Sequence, residues 1–269
     1  MRDKQLTALL CQAGFSERPW RFTAIAGASS NRLYRVEHDA MTLVLRLHTQ
    51  ANDFAVERAR EHQAWLAGSK AGLAPKLLYW SEDHRFCLSE YGGESPTSLS
   101  VEPLLALILA LHRLPMLSPR FDYGGRIRTY LKGVSDPELH AFTALIPVWE
   151  EALQASALPW GFCHHDLHPG NILHHQGQWR AVDFEYAGCG HPLMDLAVAQ
   201  EALPIAERPV LWRDYLRANG LSPDPTERAA WQAAQKLQAL MTVCWAAQMG
   251  LQGIDTQSWI PQAMATLMG

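Results

Sequence analysis

The chain has 269 residues, enough for one large domain or two small ones in close contact, and enough to bury a substantial core. Hydrophobic residues make up 48% and charged residues 19% of the sequence, a composition that excludes a disordered or fibrous protein. The formal net charge is −4 and the basic residues are scattered, so the sequence lacks the basic patch of a nucleic-acid binder. The longest apolar run, 104–111, is too short to cross a bilayer, so no membrane partner is expected.

The cysteines and the amino terminus indicate the compartment. Five cysteines lie far apart and include no Cys-x-x-Cys pair, which argues against a disulfide framework and a structural zinc site. The amino terminus has charges among its first four residues and then a short amphipathic run, unlike a signal peptide. We therefore expect reduced core thiols in a cytoplasmic protein.

The first third of the chain predicts a small antiparallel sheet with two helices. Helical patterns cover 4–13 and 53–66, the second ending near Gly68. Five segments have the alternating or clustered apolar residues of strands and are bounded by turn residues. These strands are predicted at 24–26, 33–37, 42–47, 76–80 and 85–89. Gly92-Gly93 then breaks the pattern, which predicts a first lobe of residues 1–91 and a second lobe of residues 92–269.

The second lobe has helical length and periodicity almost throughout. The predicted helices lie at 101–114, 137–156, 193–202, 208–219 and 225–251. One segment, 162–187, interrupts them, because two short apolar stretches at 172–174 and 180–184 flank a turn at 175–178 and predict a hairpin. A mixed α+β fold follows, with the sheet in the first lobe and the helices in the second.

This interruption also contains the densest set of chemically capable side chains. It includes HHDLHPGN at 164–171 and VDFEY at 182–186, and five of the twelve histidines lie between 164 and 175. Clustered histidines and an aspartate suggest a catalytic zinc site. The spacing disfavours it, because the sequence has neither His-x-His in this segment nor an HExxH motif.

The carboxylates and the amide of this segment fit a different chemistry. Asp166 precedes Asn171 by five residues and Asp183 ends a short strand, which matches the H-R-D-x-x-x-x-N and D-F-G arrangement of protein kinases. Phosphoryl transfer needs a carboxylate that orients the acceptor hydroxyl and takes its proton, and Mg²⁺ prefers carboxylate and amide oxygens. The sequence therefore predicts a phosphotransferase that uses ATP and Mg²⁺.

The motifs HHDLHPGNIL and VDFEYAGCGHPLMDLA resemble those of the aminoglycoside phosphotransferase and choline kinase superfamily, and more narrowly its bacterial thiamine kinase and choline/ethanolamine kinase branches. The resemblance covers most of the chain and implies a two-lobed, protein-kinase-like α+β fold with ATP and Mg²⁺ in the cleft. It implies that Asp166 is the catalytic base and contacts the acceptor. It further implies that Asn171 and Asp183 bind Mg²⁺ and that Asp195 braces the catalytic loop, whose motif His164 opens.

The upstream lobe has the parts that a nucleotide site needs. The small residues of GASSN at 27–31 allow backbone N–H groups and hydroxyls to approach phosphates. The stretch is also similar to a Gly-x-Thr-Asn turn of choline kinases. This similarity implies phosphate contacts from Ser29, Ser30 and Asn31. An ordinary hairpin turn is the alternative. Arg46 stands where protein kinases carry the strand lysine and resembles the arginine of choline and thiamine kinases, so it is expected to hold the α/β phosphates.

The partner of this arginine and the adenine site follow from the next segments. Glu57 and Glu61 lie one helical turn apart, and Glu61 is preferred because its distance from the following GLAPK resembles the family pattern. The alternative is that both are solvated carboxylates. Residues 87–93 resemble the hinge of the family, so the backbone groups of Ser89 to Tyr91 are expected to pair with the adenine edge.

The acceptor pocket is less clearly marked. Trp245 lies in LMTVCWAAQMG, which resembles the helix that contributes an aromatic wall to the cation pocket of choline kinases. Core packing is the alternative role for Trp245. Core packing is also the role expected of Trp212, Trp231 and Trp259. Glu185 replaces the glycine of D-F-G and is expected to add negative charge near the acceptor, as in the choline and thiamine kinase branches.

The preferred function is phosphorylation of a small cationic alcohol. Thiamine is the first choice of acceptor, because His168, His174 and EYAGCG resemble bacterial thiamine kinases. Choline or ethanolamine comes second, and an aminoglycoside third, since the acidic residues of the helical half do not cluster. The alternative of a different class is a catalytically silent regulator that binds nucleotide. A protein kinase is disfavoured, because residues 183–195 are too few for an activation loop that holds a peptide.

Overall fold

A computed structural model describes residues 3–25, 31–48 and 56–269 of the chain. The chain forms two compact units, one of residues 1–96 and 170–186 and one of residues 97–169 and 187–269. The predicted division into 1–91 and 92–269 differs from this one, because the hairpin of 170–186 bonds to the first unit. The Ala181 N–H donates to the Leu73 carbonyl at 2.8 Å and the His174 N–H to the Glu94 carbonyl at 2.9 Å. None of the described helices combines the length and the apolar character that crossing a membrane requires.

The secondary structure is as follows. The strands are β1 (Arg21–Ile25), β2 (Asn31–His38), β3 (Met41–His48), β4 (Leu77–Trp80), β5 (Phe86–Glu90), β6 (Gly161–Cys163), β7 (Ile172–His175), β8 (Gln178–Ala181) and β9 (Gly188–Gly190). The α-helices are α1 (Asp3–Gln12), α2 (Arg58–Lys70), α3 (Val101–Leu111), α4 (Tyr123–Tyr130), α5 (Pro137–Phe142), α6 (Ile146–Ala155), α7 (Pro192–Ala199), α8 (Arg208–Ala218), α9 (Pro225–Leu251) and α10 (Ile260–Met268).

The sheet of the first unit is antiparallel, as the sequence predicts, and its strand order is β1-β2-β3-β5-β4. One face packs on α1, where Leu6 and Leu10 join Leu45 and Leu88 in a buried apolar cluster. Because side chains alternate between the two faces of a strand, Arg46 lies on the opposite face of β3 from Leu45. One face of the sheet is thus covered by the apolar core, and the opposite face carries the Arg46 side chain.

The cysteines depart from the prediction of core thiols at one position. All five are free, and four are buried, but Cys11 is exposed. The reason is the amphipathic character of α1, which turns Leu6 and Leu10 toward the core and leaves Cys11 on the solvent face.

Helix α2 differs from the predicted helix over 53–66 at both ends. Glu57 has an extended backbone and precedes the first helical residue, Arg58, while residues 53–55 lie outside the described ranges. The helix also continues through Gly68 to Lys70. A Cβ on Gly68 would lie 3.1 Å from Cζ of Phe184, so this glycine serves close packing rather than helix termination.

The predicted hairpin forms from β7 and β8, joined by Gln176 and Gly177 with φ of 49° and 78°. Two positive φ values are typical of a type I′ turn, whose twist matches that of the strands. The second strand is shorter than predicted and ends at Ala181, because Asp183 has φ of +66° and interrupts the extended backbone.

The second unit is mainly helical, and α9 has the predicted bounds. The single helix predicted over 137–156 is wrong: α5 and α6 are separated by a 3₁₀ turn, and Pro147 opens α6 because proline fits the first turn of a helix. The sequence reading missed α4 and α10. Helix α4 contains two glycines, which lower helix propensity, and the Asp122 carboxylate caps it by accepting from the Gly125 N–H at 2.7 Å.

Candidate active site

Arg46 is the centre of a buried charge cluster in the first unit. Its side chain is only 4% exposed, and its guanidinium contacts three carboxylates: Nη1 lies 2.7 Å from Glu61 Oε1, and Nη2 lies 2.8 Å from Asp183 Oδ1 and 3.3 Å from Glu185 Oε2. Burial works against the charge of Arg46, but the three carboxylates raise its pKa above the ordinary value. Arg46 therefore stays positively charged, and its guanidinium is held in a fixed orientation.

The structure also decides between the two candidate partners on α2. Glu61 is buried and pairs with Arg46, whereas Glu57 is exposed and pairs with Arg60 of the same helix. Arg58 donates to Glu61 Oε2 at 2.7 Å, so both carboxylate oxygens of Glu61 bind a guanidinium. Glu61 is the predicted partner, and its role toward a nucleotide stays a prediction.

Glu185 belongs to the same cluster. Its Oε2 lies 3.6 Å from Arg58 Nη1 and accepts from Asn31 Nδ2 at 3.3 Å. Burial and the charge of Asp183 raise the pKa of Glu185 to about 7, against the two arginines, which lower it. The contacts that hold this carboxylate are thus with the Arg46 cluster, and its predicted contact with the acceptor stays a prediction.

The predicted phosphate loop is only partly described. Ser29 and Ser30 lie outside the described residues, whereas Asn31 opens β2 and is buried. Through its bond to Glu185, Asn31 ties the start of β2 to the charge cluster. Contacts of all three residues with phosphate remain predictions.

Two backbone donors of the predicted hinge are already used within the first unit. The Glu90 N–H donates to the Lys76 carbonyl at 3.0 Å, and the Tyr91 N–H donates to the Thr42 carbonyl at 3.3 Å. Because β5 lies between β3 and β4, these two donors are used by neighbouring chain segments and are not available to an adenine edge. Pairing of Ser89 to Tyr91 with an adenine edge stays a prediction, to which these two N–H groups do not contribute.

Asn171 and Asp183 come together through the backbone of the hairpin. The Asn171 carbonyl accepts from the Val182 N–H at 3.0 Å, one residue beyond the pair formed by Ile172 and Ala181. The open end of the hairpin therefore carries an amide residue on one side and a carboxylate residue on the other, and these are oxygen donors of the kind that Mg²⁺ takes. The donor set fits the predicted metal.

The catalytic loop lies in the second unit and is anchored by a buried carboxylate. Asp195, on α7, accepts the N–H groups of His164 at 2.7 Å and His165 at 2.6 Å, directly before Asp166. Burial alone would raise the pKa of Asp195, but the hydrogen bond and charge of His112 lower it to about 2. Asp195 braces the loop, as predicted.

The Asp166 side chain is 32% exposed. Three aromatic rings, those of His168, Trp259 and Trp245, follow one another beside it. His168 Nε2 lies 3.8 Å from Asp166 Oδ2, and the His168 ring is 6.0 Å from the Trp259 ring. Trp259 in turn lies 6.1 Å from Trp245 in an edge-to-face arrangement. The predicted core role of Trp259 is wrong, because this residue is 43% exposed. No local motif marks it, so only the fold reveals its proximity to His168.

The other two tryptophans expected in the core behave differently from Trp259. Trp212 is buried and stacks on Trp231 at 6.0 Å between ring centroids.

Comparisons with known proteins agree with these observations. Residues 21–231 match the model of the phosphotransferase enzyme family. The thiamine kinase of Salmonella typhi is 26% identical over 169 residues, which cover 60% of this chain and 59% of that protein. The chain therefore aligns with less than two thirds of the length of the thiamine kinases it matches.

Solved structures show the same fold. A choline/ethanolamine kinase family protein from Mesorhizobium loti is 23% identical with a TM-score of 0.74, over 100% of this chain and 94% of that one. The choline kinase LicA from Streptococcus pneumoniae is 17% identical with a TM-score of 0.80, over 99% and 98%. The predicted protein-kinase-like α+β fold class is confirmed. Since the family model covers most of the sequence, including both motifs, the chain belongs to the phosphotransferase enzyme family.

Proposed function

We propose that this protein transfers the γ-phosphoryl group of ATP to the hydroxyl of thiamine. The observation that carries the proposal is the loop before Asp166, in which two consecutive N–H groups are bound by the buried Asp195. A loop anchored in this way presents a partly exposed carboxylate at a fixed place, which is what a base acting on an acceptor hydroxyl needs.

Asp166 would accept the proton of the acceptor hydroxyl as its oxygen attacks the phosphoryl group. General-base catalysis of this kind contributes roughly 10²–10⁴ in rate. The His168 ring, 3.8 Å from the Asp166 carboxylate, limits the directions from which an acceptor can approach it. The residues around Asp166 thus orient the alcohol and remove its proton.

The Arg46 cluster supplies the nucleotide side. Arg46 would hold the α/β phosphates, while Glu61 and Arg58 fix the direction of its guanidinium. Asn171 and Asp183 would hold Mg²⁺, which when bound neutralises charge on the phosphates. A solved structure of LicA in complex with AMP supports an adenine nucleotide as the donor.

The acceptor is proposed from two independent observations. The curated relatives found are thiamine kinases. Trp259 lies beside His168 and Trp245 lies beside Trp259, and a thiazolium cation would gain about 0.5–2 kcal/mol from each good ring contact. Choline is the second candidate, because the same rings would bind a quaternary ammonium and LicA has a similar fold.

The test is a transfer assay with ATP and Mg²⁺ and a panel of thiamine, choline, ethanolamine, aminoglycosides and amino sugars, in which ADP release and the mass of the product are both measured. We expect thiamine phosphate as the preferred product. A neutral analogue of thiamine should bind at least about tenfold worse, since it loses the cation–π contact.

Two variants make the assay specific. Asp166→Asn should nearly abolish transfer and change ATP affinity only a few-fold. Asp214→Asn, on α8 and paired with Arg217, is the matched control and should keep activity. Preference for another acceptor would refute thiamine, and ATP binding without transfer to any acceptor would favour a nucleotide-binding regulator.

A further inference from the structure

His165, the residue before Asp166, has an unusual backbone. Its φ is +63°, in the left-handed region that glycine adopts readily and that a residue with a side chain adopts only when its surroundings compensate. Such conformations collect at functional sites, where neighbouring contacts hold them in place. What holds His165 is therefore informative about the loop.

The His165 ring sits in a fitted socket formed by Phe121, Tyr123 and Gly190. The side chain is buried, its ring stacks on Phe121 with centroids 4.2 Å apart, and its Nε2 lies 3.2 Å from the Tyr123 hydroxyl. That hydroxyl also accepts the His191 N–H at 2.9 Å, so it links the His165 ring to the backbone of residue 191.

Gly190 completes the socket by leaving room for the ring. A Cβ at this position would lie 2.2 Å from His165 Nε2 and 2.7 Å from Cε1, distances that no side chain tolerates without displacing the imidazole. The partner of Gly190 in the β6–β9 pair is Gly161, where a Cβ would meet only an ordinary contact at 3.6 Å. The His165 ring therefore requires a glycine at position 190 but not at position 161.

Both parts of His165 are fixed. Its N–H is bound by Asp195 at 2.6 Å, and its ring is held by the socket. Since the chain leaves His165 directly into Asp166, fixing this residue also fixes the direction in which the Asp166 backbone starts.

We propose that the socket of Phe121, Tyr123 and Gly190 makes His165 a positioning residue: it holds residue 165 in the left-handed conformation that aims the Asp166 carboxylate at the acceptor hydroxyl. This inference rests on the proposed role of Asp166. If the ring merely filled space, its loss would change stability and leave the turnover of folded enzyme unchanged.

The kinetic test uses His165→Gly, which permits the same φ but removes the ring. We expect kcat to fall about 10–100-fold, with KM for ATP and for the acceptor unchanged within about twofold, because a displaced base affects the chemical step and not binding. Gly190→Ala should lower kcat in the same way, and Gly161→Ala, the matched control, should keep it. Wild-type kcat in His165→Gly and Gly190→Ala would overturn the proposal.

Two further measurements separate this inference from the proposed function. If wild type transfers phosphate and Asp166→Asn does not, the proposed base stands whatever the socket variants do. Crystal structures of wild type and Gly190→Ala need no turnover: we expect the Asp166 carboxylate to move by about 1 Å, a displacement large enough to affect rate. A carboxylate that stays in place would overturn the positioning role even in a protein without measurable activity. Should His165→Gly not fold, His165→Asn, which tolerates positive φ, takes its place.

Discussion

Acidification should destabilise the protein because His48 must stay neutral in the folded state. His48 Nδ1 lies 2.6 Å from the His84 carbonyl and must donate to it, which leaves Nε2 as an acceptor. That atom is buried and has no hydrogen-bond partner among the described residues. Protonation would add a third positive charge to those of Arg46 and Arg58. Burial, followed by the charge of Arg46, lowers the pKa of His48 to about 3.

The size of the effect follows from this pKa. In the unfolded chain a histidine titrates near 6.5, so below that pH the unfolded state takes up a proton that the folded state refuses. The stability associated with neutral His48 is fully present above the unfolded pKa and is lost as the pH falls toward about 3. Between about pH 6.5 and pH 4.5 the loss amounts to about 2 kcal/mol.

The measurement is the free energy of unfolding in urea for wild type and His48→Gln over this pH range. Glutamine keeps an N–H that can donate to His84 but cannot take up a proton. We expect the variant to lose about 2 kcal/mol less than wild type between about pH 6.5 and pH 4.5. Parallel pH dependences for the two proteins would refute the reasoning. His191→Asn offers an independent repeat, because burial and Arg120 lower the pKa of His191 to about 3 and asparagine preserves the cap of α7.

Three further predictions concern the site. Arg46→Lys should raise KM for ATP and leave the acceptor KM unchanged, because an ammonium cannot reproduce the contacts of a guanidinium with three carboxylates; equal ATP KM in steady-state kinetics would contradict this. Asp195→Asn should cost about 2 kcal/mol and speed hydrogen exchange at the amides of His164 and His165, since one amide oxygen replaces two carboxylate oxygens, and unchanged protection there would count against it. Trp245→Leu should raise the acceptor KM while ATP KM stays the same, and an unaltered acceptor KM in the folded variant would return this residue to core packing.

Local patterns predicted most elements because alternation and helical periodicity are visible within a few residues. The five-stranded sheet, the hairpin and α9 all follow from such patterns. The errors occur where a local signal has two meanings. Gly68 looks like a helix stop but makes room for Phe184, and Pro147 looks compatible with one long helix but begins a new one.

The candidate site shows a different limit. The motifs supplied the residue types, and the resemblance supplied Asp166, Arg46 and Asp195, yet neither could supply the contacts that fix them. The His165 socket draws on Phe121 and Tyr123 at the start of α4 and on Gly190 of β9, two segments that are distant in the sequence. A glycine at this position would have suggested positive φ, but a histidine does not. The left-handed conformation of His165 and the socket that holds its ring therefore become visible only in the structure.

Glu185 illustrates why adjacency in a motif does not determine which group a side chain serves. If the strand before it continued, side chains at alternate positions would share a face, and the direction of Glu185 could be read from the sequence. The positive φ of Asp183 ends that alternation, so the direction of Glu185 depends on the fold. There it meets Arg46 and Arg58, and the three carboxylates of the cluster exceed the two guanidinium groups by one negative charge. Burial raises the pKa of Glu185 to about 7, the charge of Asp183 adds to this rise, and the two arginines oppose it.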